Sequence, residues 1–192
     1  MTHLATGDDG VTRCGWCAGD EAYRAYHDTE WGVPVRDPVR LFEKVCLEGF
    51  QAGLSWITIL RRREAFRAAF HGFDPTVIAS FGASDIARLV DDASIIRHRG
   101  KIEATISNAR AMLALPRPLN ELIWSHATAA RPDRPARWED VPATTPESVA
   151  LSTELRNLGF RFVGPTTMYA LMQSCGLVDD HFEGCFRAGN VR

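Results

Sequence analysis

The stretch from Leu155 to Cys185 constrains the fold more than any other part of the chain. It has the pattern of one helix ending, a short turn, and a second helix beginning at Pro165. Gly159 suits the left-handed conformation that follows a helix C-terminus, and proline suits the first turn of a helix. The sequence therefore predicts two helices joined by a hairpin, over about 146–176.

The second of these helices begins in a way that favours phosphate. Gly164, Thr166 and Thr167 leave the backbone N–H groups of its first turn open, and helix N-termini bind anions. Shortly after it, His181 and Cys185 lie four residues apart, so one helical turn would place both on the same side as metal ligands. Any helical protein contains such corners, so the hairpin alone decides nothing, and the other segments must agree.

Composition indicates an ordinary soluble globular protein. The chain has 192 residues, of which 45% are hydrophobic and 24% charged, which fits a single domain over 13–192 after a disordered tail over 1–12. No apolar run is long enough to span a membrane, and the N-terminus lacks the features of a signal peptide, so we expect a cytoplasmic protein. The net charge is −2, so contacts to nucleic acid would come from local basic clusters at 61–63 and 97–101 and from Arg156 with Arg161.

Potential zinc ligands lie near both ends of the chain. Cys14 and His27 are at one end, and His181 and Cys185 are at the other, so a tetrahedral site would tie the two ends together. Cys17 competes with His27, because Cys14-x-x-Cys17 is itself a ligand spacing. A site with four protein ligands has no open position, so its metal would be structural. Spacing alone also leaves open five unconnected thiols.

Aromatic residues are concentrated between Trp16 and Trp31. Asp20 is placed to cap a short helix that carries Tyr23 and Tyr26 three residues apart on one face. These rings either cover an edge of the core or line a pocket, and both interpretations stay open at this point.

Glu48 lies on the apolar stripe of the next helix. The pair Asp37–Pro38 starts this helix, and Leu41, Val45 and Ala52 share the stripe with Glu48. An ionised carboxylate inside a core is costly unless a cation or hydrogen-bond donor meets it. Glu48 is therefore a candidate functional acid, and the alternative is a glutamate paired with a nearby arginine.

The remaining segments predict an all-α protein of about eight to ten short helices. Ser84 is expected to cap one helix, and a capping box over 144–147 is expected to open the helix that ends at Gly159. The segment 129–146, which carries proline and arginine, is expected to be a surface loop. No segment shows the clean alternation of a strand.

Taken together, these stretches resemble the 3-methyladenine DNA glycosylase I family of base-excision repair enzymes. The similarity runs in order along nearly all of 13–185 and is weakest over 116–146. The matching motifs are RCGW (13–16), YRAYHD (23–28), EWGVP (30–34), LEGFQAGLSWITIL (47–60), IIRHRGKIEATISNAR (95–110), GFRFVGPTTMYALMQSCGLVDDH (159–181) and GC (184–185).

The resemblance implies a helix-hairpin-helix DNA glycosylase fold, with a structural zinc clasp that joins the segments 13–27 and 181–185. It implies a monofunctional enzyme that flips out and hydrolytically removes 3-methyladenine from alkylated double-stranded DNA, with one structural Zn²⁺ per chain; we expect a monomer. It implies that Cys14, His27, His181 and Cys185 bind zinc and that Trp16, Tyr23, Tyr26 and Trp56, with Glu48, line the base pocket. We expect Glu48 to be the catalytic residue, and Gly164, Thr166 and Thr167 at the open helix N-terminus to contact DNA.

Two other function classes compete with this interpretation. A non-catalytic, zinc-stabilised helix-hairpin-helix DNA-binding module would leave Glu48 among the aromatic rings unexplained. A zinc deaminase would need a second cysteine motif that the sequence lacks beside His181. Asp179 and Asp180 stay outside the catalytic set, and neither lysine of the chain lies where a strand-cleaving glycosylase keeps its Schiff-base amine.

Overall fold

The structure is a computed structural model, and it describes residues 2–127 and 134–189. The described part is mostly helical, in agreement with the predicted class, and contains no helix long and apolar enough to cross a membrane. Its α-helices are α1 (Glu21–Thr29), α2 (Pro38–Gln51), α3 (Trp56–Leu60), α4 (Arg63–Ala69), α5 (Pro75–Ala79), α6 (Ala83–Asp91), α7 (Arg99–Leu113), α8 (Leu119–Trp124), α9 (Pro146–Asn157) and α10 (Pro165–Ser174). Short 3₁₀ helices cover Gly15–Cys17, His71–Phe73 and Trp138–Asp140.

Helix α2 is the centre of the core. The Asp37 side chain accepts a hydrogen bond from the backbone N–H of Arg40 and caps the helix, with proline in the first turn as predicted. Every residue from 41 to 50 is buried, because α3, α7, α8 and α10 all pack against this helix. The sequence predicted one buried stripe, whereas the structure buries the helix on all sides over 41–50. Ala52, the last residue assigned to that stripe, is exposed and lies just after the end of the helix.

A small antiparallel sheet corrects the prediction of a disordered tail over 1–12. Strand β1 (Leu4–Thr6) pairs with β2 (Thr12–Cys14), and Leu4 lies opposite Cys14. The backbone N–H of Phe186 donates to the carbonyl of Thr12 at 2.9 Å, so the segment around Phe186 packs beside the same strand. Three-residue strands are too short to show alternation, which is why the sequence pattern missed them.

Helices α9 and α10 follow one another and pack together, where the sequence predicted two helices joined by a hairpin. Gly159 has a φ of +91°, the left-handed conformation expected after α9, and Pro165 is the first residue of α10. The capping box that opens α9 is one residue later than predicted, since Thr145 is the cap and Ser148 its partner. Gly82, rather than the predicted Ser84, precedes α6 as its cap residue.

The expected surface loop over 129–146 lies partly outside the described residues. Its described portion contains the 3₁₀ helix Trp138–Asp140 and packs against the segment after α10. The N–H of Glu183 donates to the carbonyl of Pro135 at 3.0 Å, and the Arg134 guanidinium pairs with the Asp179 carboxylate at 2.6 Å. This part of the loop is therefore attached to the fold.

Candidate functional site

A cavity of about 280 Å³ opens between the N-terminal segment, α2, α3 and α10. Its size is at the small end of ligand cavities, which suits one flat aromatic molecule. It brings together all five predicted pocket residues: Trp16, Tyr23, Tyr26, Glu48 and Trp56. The rest of its lining comes from Trp31, Gln51, Trp138, Val141, Ala170, Gln173, Ser174, Asp180 and Phe182.

The aromatic walls of this pocket contact one another, edge to face between Trp16 and Tyr23 and tilted between Tyr26 and Trp56. The ring centroids of Trp16 and Tyr23 lie 5.4 Å apart, and those of Tyr26 and Trp56 lie 5.5 Å apart. The Tyr23 hydroxyl accepts a hydrogen bond from the backbone N–H of Ile57 at 3.0 Å. Since this bond ties α1 to the first turn of α3, the rings are held in a fixed arrangement.

Glu48 is one of the two carboxylates that line the pocket, the other being Asp180, and only 4% of Glu48 is exposed. Within the described ranges it forms no ion pair with an arginine. The buried glutamate that does is Glu43, which pairs with Arg40 at 2.6 Å and with Arg67 at 2.8 Å. The structure thus assigns the arginine-paired role to Glu43 and leaves the Glu48 carboxylate facing the aromatic rings.

Burial raises the pKa of Glu48 to about 7, against the opposing effects of the Lys44 ammonium and the Ser174 hydroxyl. Lys44 is itself buried one helical turn earlier on α2. Its Nζ lies 3.5 Å from the carbonyl oxygen of Ser174 and 5.6 Å from the ring centroid of Tyr26. The pocket therefore contains a carboxylate poised between its neutral and ionised forms, with one lysine beneath it.

Four buried side chains near the two ends of the chain form a second cluster. The potential ligand atoms of Cys14, His27, His181 and Cys185 all lie within 4.8 Å of one another. Cys185 Sγ is 3.4 Å from His27 Nε2 and 3.7 Å from His181 Nδ1, and Cys14 Sγ is 3.7 Å from His181 Nδ1. Sulfur and nitrogen ligands of one tetrahedral zinc ion stand about 3.6 Å apart, so the cluster has the right spacing.

The charges of the cluster also fit a cation. The hydrogen bond to Cys185 raises the pKa of the Cys14 thiol most, and burial raises it further. The negative charge of a Cys185 thiolate adds a smaller effect, which a cation between the two sulfurs would offset. His27 makes a 2.8 Å contact through Nδ1 to the Asp28 carboxylate, which leaves its Nε2 for a metal. Cys17 lies outside the cluster, since its thiol donates to the carbonyl of Cys14 at 3.1 Å.

His181 and Cys185 come together in a different way from the one predicted. The sequence spacing suggested one helical turn, but the backbone there forms non-helical turns, with Gly184 at a φ of +88°. A Cβ at position 184 would lie 3.1 Å from the Leu4 side chain and would adopt a strained conformation.

The start of α10 is open, as the sequence predicted. Gly164 precedes the helix without any side-chain cap, Thr166 is exposed and Thr167 partly so. Neither Arg156 nor Arg161 forms an ion pair with a carboxylate in the part of the chain that the structure describes. A Cβ on Gly164 would lie 3.6 Å from the Arg156 guanidinium, so unpaired positive charge lies beside this helix N-terminus.

Comparison with known proteins decides the family. A family model described as methyladenine glycosylase matches residues 16–188. The chain belongs to the methyladenine glycosylase family. It is 51% identical over 179 residues to DNA-3-methyladenine glycosylase 1 of Escherichia coli K12, which covers 91% of this chain and 96% of that protein.

Solved structures of methyladenine glycosylases have the same fold. A crystal structure of 3-methyladenine DNA glycosylase I is 50% identical and superposes with a TM-score of 0.88, covering 91% of this chain and 98% of that one. A variant 3-methyladenine DNA glycosylase I in complex with 3-methyladenine is 32% identical, with a TM-score of 0.87 and coverage of 94% and 99%.

Sequence reasoning missed several residues that line the pocket of this methyladenine glycosylase. Trp31 belongs to the aromatic segment and could have been added from that pattern. Gln51, Ser174 and Phe182 had no such signal, because they reach the pocket from helix ends and loops. Trp138 comes from the segment in which the sequence showed no clear pattern.

Proposed function

We propose that this protein removes 3-methyladenine from alkylated double-stranded DNA by hydrolysing the N-glycosidic bond, the first step of base excision repair. The observation that carries the proposal is the buried Glu48 carboxylate, which lies in an aromatic pocket and forms no ion pair with an arginine of the described residues. The chain belongs to the methyladenine glycosylase family. The proposed base-binding residues are Trp16, Tyr23, Tyr26 and Trp56.

Charge explains why such a pocket selects this lesion. Methylation at N3 makes the adenine base cationic while it is attached to DNA. A cation over the face of an aromatic ring gains about 0.5–2 kcal/mol per contact once it is desolvated. The Glu48 carboxylate adds attraction and accepts a hydrogen bond, and neutral adenine gains much less from either interaction.

The same charge makes the base a good leaving group, so strong acid catalysis is not required. The bond between N9 and the sugar carbon C1′ breaks, and its electron pair neutralises the positive charge of the base. The oxygen of a water molecule forms the new bond to C1′, and the proton that it loses passes to solvent. Neither Lys44 nor Lys101 is available as a Schiff-base amine, because Lys44 lies beneath the pocket and Lys101 Nζ donates to the carbonyls at the end of α2. We therefore propose hydrolysis without strand cleavage.

The hairpin between α9 and α10 would hold the DNA backbone in the manner of a helix-hairpin-helix motif. The open N–H groups at Gly164, Thr166 and Thr167 suit phosphate oxygens, and Arg156 adds positive charge beside them. Contacts of this kind read no sequence, which suits an enzyme that must find damage anywhere. The damaged base then leaves the duplex, at a cost that is lowest for a weakened base pair.

We further propose that Cys14, His27, His181 and Cys185 hold one structural Zn²⁺. All four are buried and stand at tetrahedral spacing, and His27 has the outer carboxylate partner that zinc-bound histidines usually have. When bound, the ion supplies cross-linking between the two ends of the chain and no reactive water, since all four positions belong to the protein. The cluster and the pocket are each complete within one chain, so we propose that the monomer is the active unit.

One experiment separates this proposal from a non-catalytic DNA-binding module. The purified protein is incubated with methylated duplex DNA, and the released bases are identified by chromatography. Release of free 3-methyladenine without nicking of DNA that contains an abasic site supports the proposal. Duplex binding without base release, from folded and zinc-loaded protein, would favour the binding module.

A further inference from the structure

Trp138 brings a further part of the chain to the pocket, from the segment in which the sequence had indicated only a surface loop. Its indole lines the cavity together with Val141 and Phe182. The ring centroids of Trp138 and Phe182 lie 4.8 Å apart with an interplanar angle of 81°. Trp138 is also 36% exposed, which is unusual for a tryptophan that only fills a core.

The position of Trp138 is fixed by its neighbours along the chain. The Asp140 carboxylate accepts hydrogen bonds from the backbone N–H groups of Ala136 and Arg137, at 3.0 and 2.9 Å. The carbonyl of Pro135 bonds to the segment after α10, as described above. These bonds hold the backbone beside Trp138, and the indole packs on Phe182 at the cavity, so contact with a ligand would cost little ordering.

We infer that Trp138 is a specificity-determining residue that forms the solvent-side wall of the base pocket and contacts the extruded base. This inference rests on the proposed glycosylase function. An indole is the aromatic side chain that attracts cations most strongly. Trp138 lines the cavity and is still 36% exposed. Apart from Phe182, on which Trp138 packs, the other aromatic walls come from residues 16–31 and α3, so Trp138 adds contact from a separate part of the chain.

A purely structural role for Trp138 predicts different behaviour. If the indole served only to cover Phe182, its removal would lower the melting temperature and leave the selection of the base unchanged. If it contacted the DNA backbone, its removal would weaken binding to damaged and undamaged duplex equally.

The test compares Trp138→Ala and Trp138→Phe with Leu113→Ala, which shortens a large exposed apolar side chain at the end of α7 and outside the pocket. Each variant is assayed for kcat and KM on methylated duplex, for Kd with free 3-methyladenine and with undamaged duplex, and for melting temperature. We expect Trp138→Ala to lower kcat/KM on methylated duplex, where the base is cationic, on the order of tenfold. Binding of free 3-methyladenine, which is neutral, should weaken by a smaller factor through the loss of ring contact. Trp138→Phe should retain most of the kcat/KM and most of the free-base affinity. Leu113→Ala should leave both quantities unchanged, and no variant should change the affinity for undamaged duplex.

Unchanged kcat/KM and free-base Kd in Trp138→Ala would overturn the inference, as would an equal loss of undamaged-duplex binding. Glu48→Gln is measured beside it to separate the two proposals. If kcat/KM falls in Glu48→Gln and stays unchanged in Trp138→Ala, the role of Trp138 is refuted and the proposed function stands. If the unmodified protein releases no base, the proposed function fails, and the free-base Kd of the Trp138 variants still decides whether the indole lines a base-binding site.

Discussion

Trp31 and His181 are in direct edge-to-face contact, with ring centroids 4.5 Å apart. Trp31 lines the pocket, whereas His181 belongs to the four-residue Cys/His cluster. Trp16 makes a similar contact to His27, with centroids 5.4 Å apart. One wall of the pocket is therefore built on the cluster, and any disorder at the cluster would reach the pocket through these two indoles.

Loss of the proposed zinc should lower stability first and activity as a consequence. We expect Cys14→Ser to lose zinc and to melt about 6–12 °C lower, which corresponds to about 3 kcal/mol for a chain of this size. Zinc content by elemental analysis and melting by calorimetry, measured on the same sample, check this together.

Cys17→Ser is the matched control for the zinc prediction. Cys17 is three residues from Cys14 and equally buried, yet its thiol bonds to a backbone carbonyl rather than joining the cluster. It should keep a full equivalent of zinc. A Cys14→Ser protein that melts normally, or a Cys17→Ser protein that loses its metal, would refute the assignment.

The two buried glutamates of α2 show how far the sequence could predict this site. The helical stripe identified Glu48 as a buried acid, and the alternative was pairing with an arginine. The chain contains that pairing too, at Glu43, but its partner Arg67 comes from α4, 24 residues away in sequence. Local periodicity predicts which face a residue occupies, and it cannot predict which distant side chain meets it there.

The same limit explains the other differences between prediction and structure. Helix starts such as Asp37–Pro38 and turns such as Gly159 were predicted correctly, because their signals are local. The strand Leu4–Thr6 was missed, because its stability depends on pairing with β2 and on the nearby chain end. Trp138 was missed for a similar reason, since it reaches the pocket through contacts with residues far along the chain.

The Glu48→Gln substitution should separate recognition of the charged base from binding to DNA. Glutamine keeps the shape and removes the negative charge, so we expect kcat/KM on methylated duplex to fall by about 10- to 100-fold, the effect of losing about 1.5–3 kcal/mol of charged hydrogen bonding. Undamaged-duplex affinity should stay the same. Glu64→Gln on α4, whose side chain is 79% exposed, is the control for the same chemical change.

The pH dependence of the same reaction follows from the raised pKa of Glu48. Its ionised form attracts the cationic base, and burial places its pKa at about 7, so kcat/KM should rise with pH through about pH 7. A bound cation favours the ionised form, so the corresponding limb of kcat should lie at lower pH. Glu48→Gln should abolish this acid limb, and a limb that persists in the variant would belong to another group.

Lys44→Met tests the charge beneath the pocket. The Lys44 ammonium lowers the pKa of Glu48, so its removal should raise that pKa and move the acid limb of kcat/KM to higher pH. At high pH, where Glu48 is ionised in both proteins, the variant should bind the cationic base at least as tightly, because one positive charge has gone. When Glu48→Gln is already present, adding Lys44→Met should leave the pH profile of kcat/KM unchanged. A shift that survives there would show that Lys44 acts through a different group.

The hairpin variants should affect DNA binding and spare the pocket. Gly164 has a φ of −61° and room for a Cβ, so Gly164→Val should fold normally while its methyl groups obstruct the N–H groups at the start of α10. We expect duplex affinity to fall by about 10- to 100-fold, as for one lost hydrogen bond to a charged group, worth about 1.5–3 kcal/mol. The Kd for free 3-methyladenine should not change. Arg156→Ala should reduce the slope of log K against log salt by about 1, and Arg88→Ala, which removes the same charge from α6, should leave it unaltered. A loss of free-base affinity in Gly164→Val would place the hairpin at the pocket instead of on the DNA backbone.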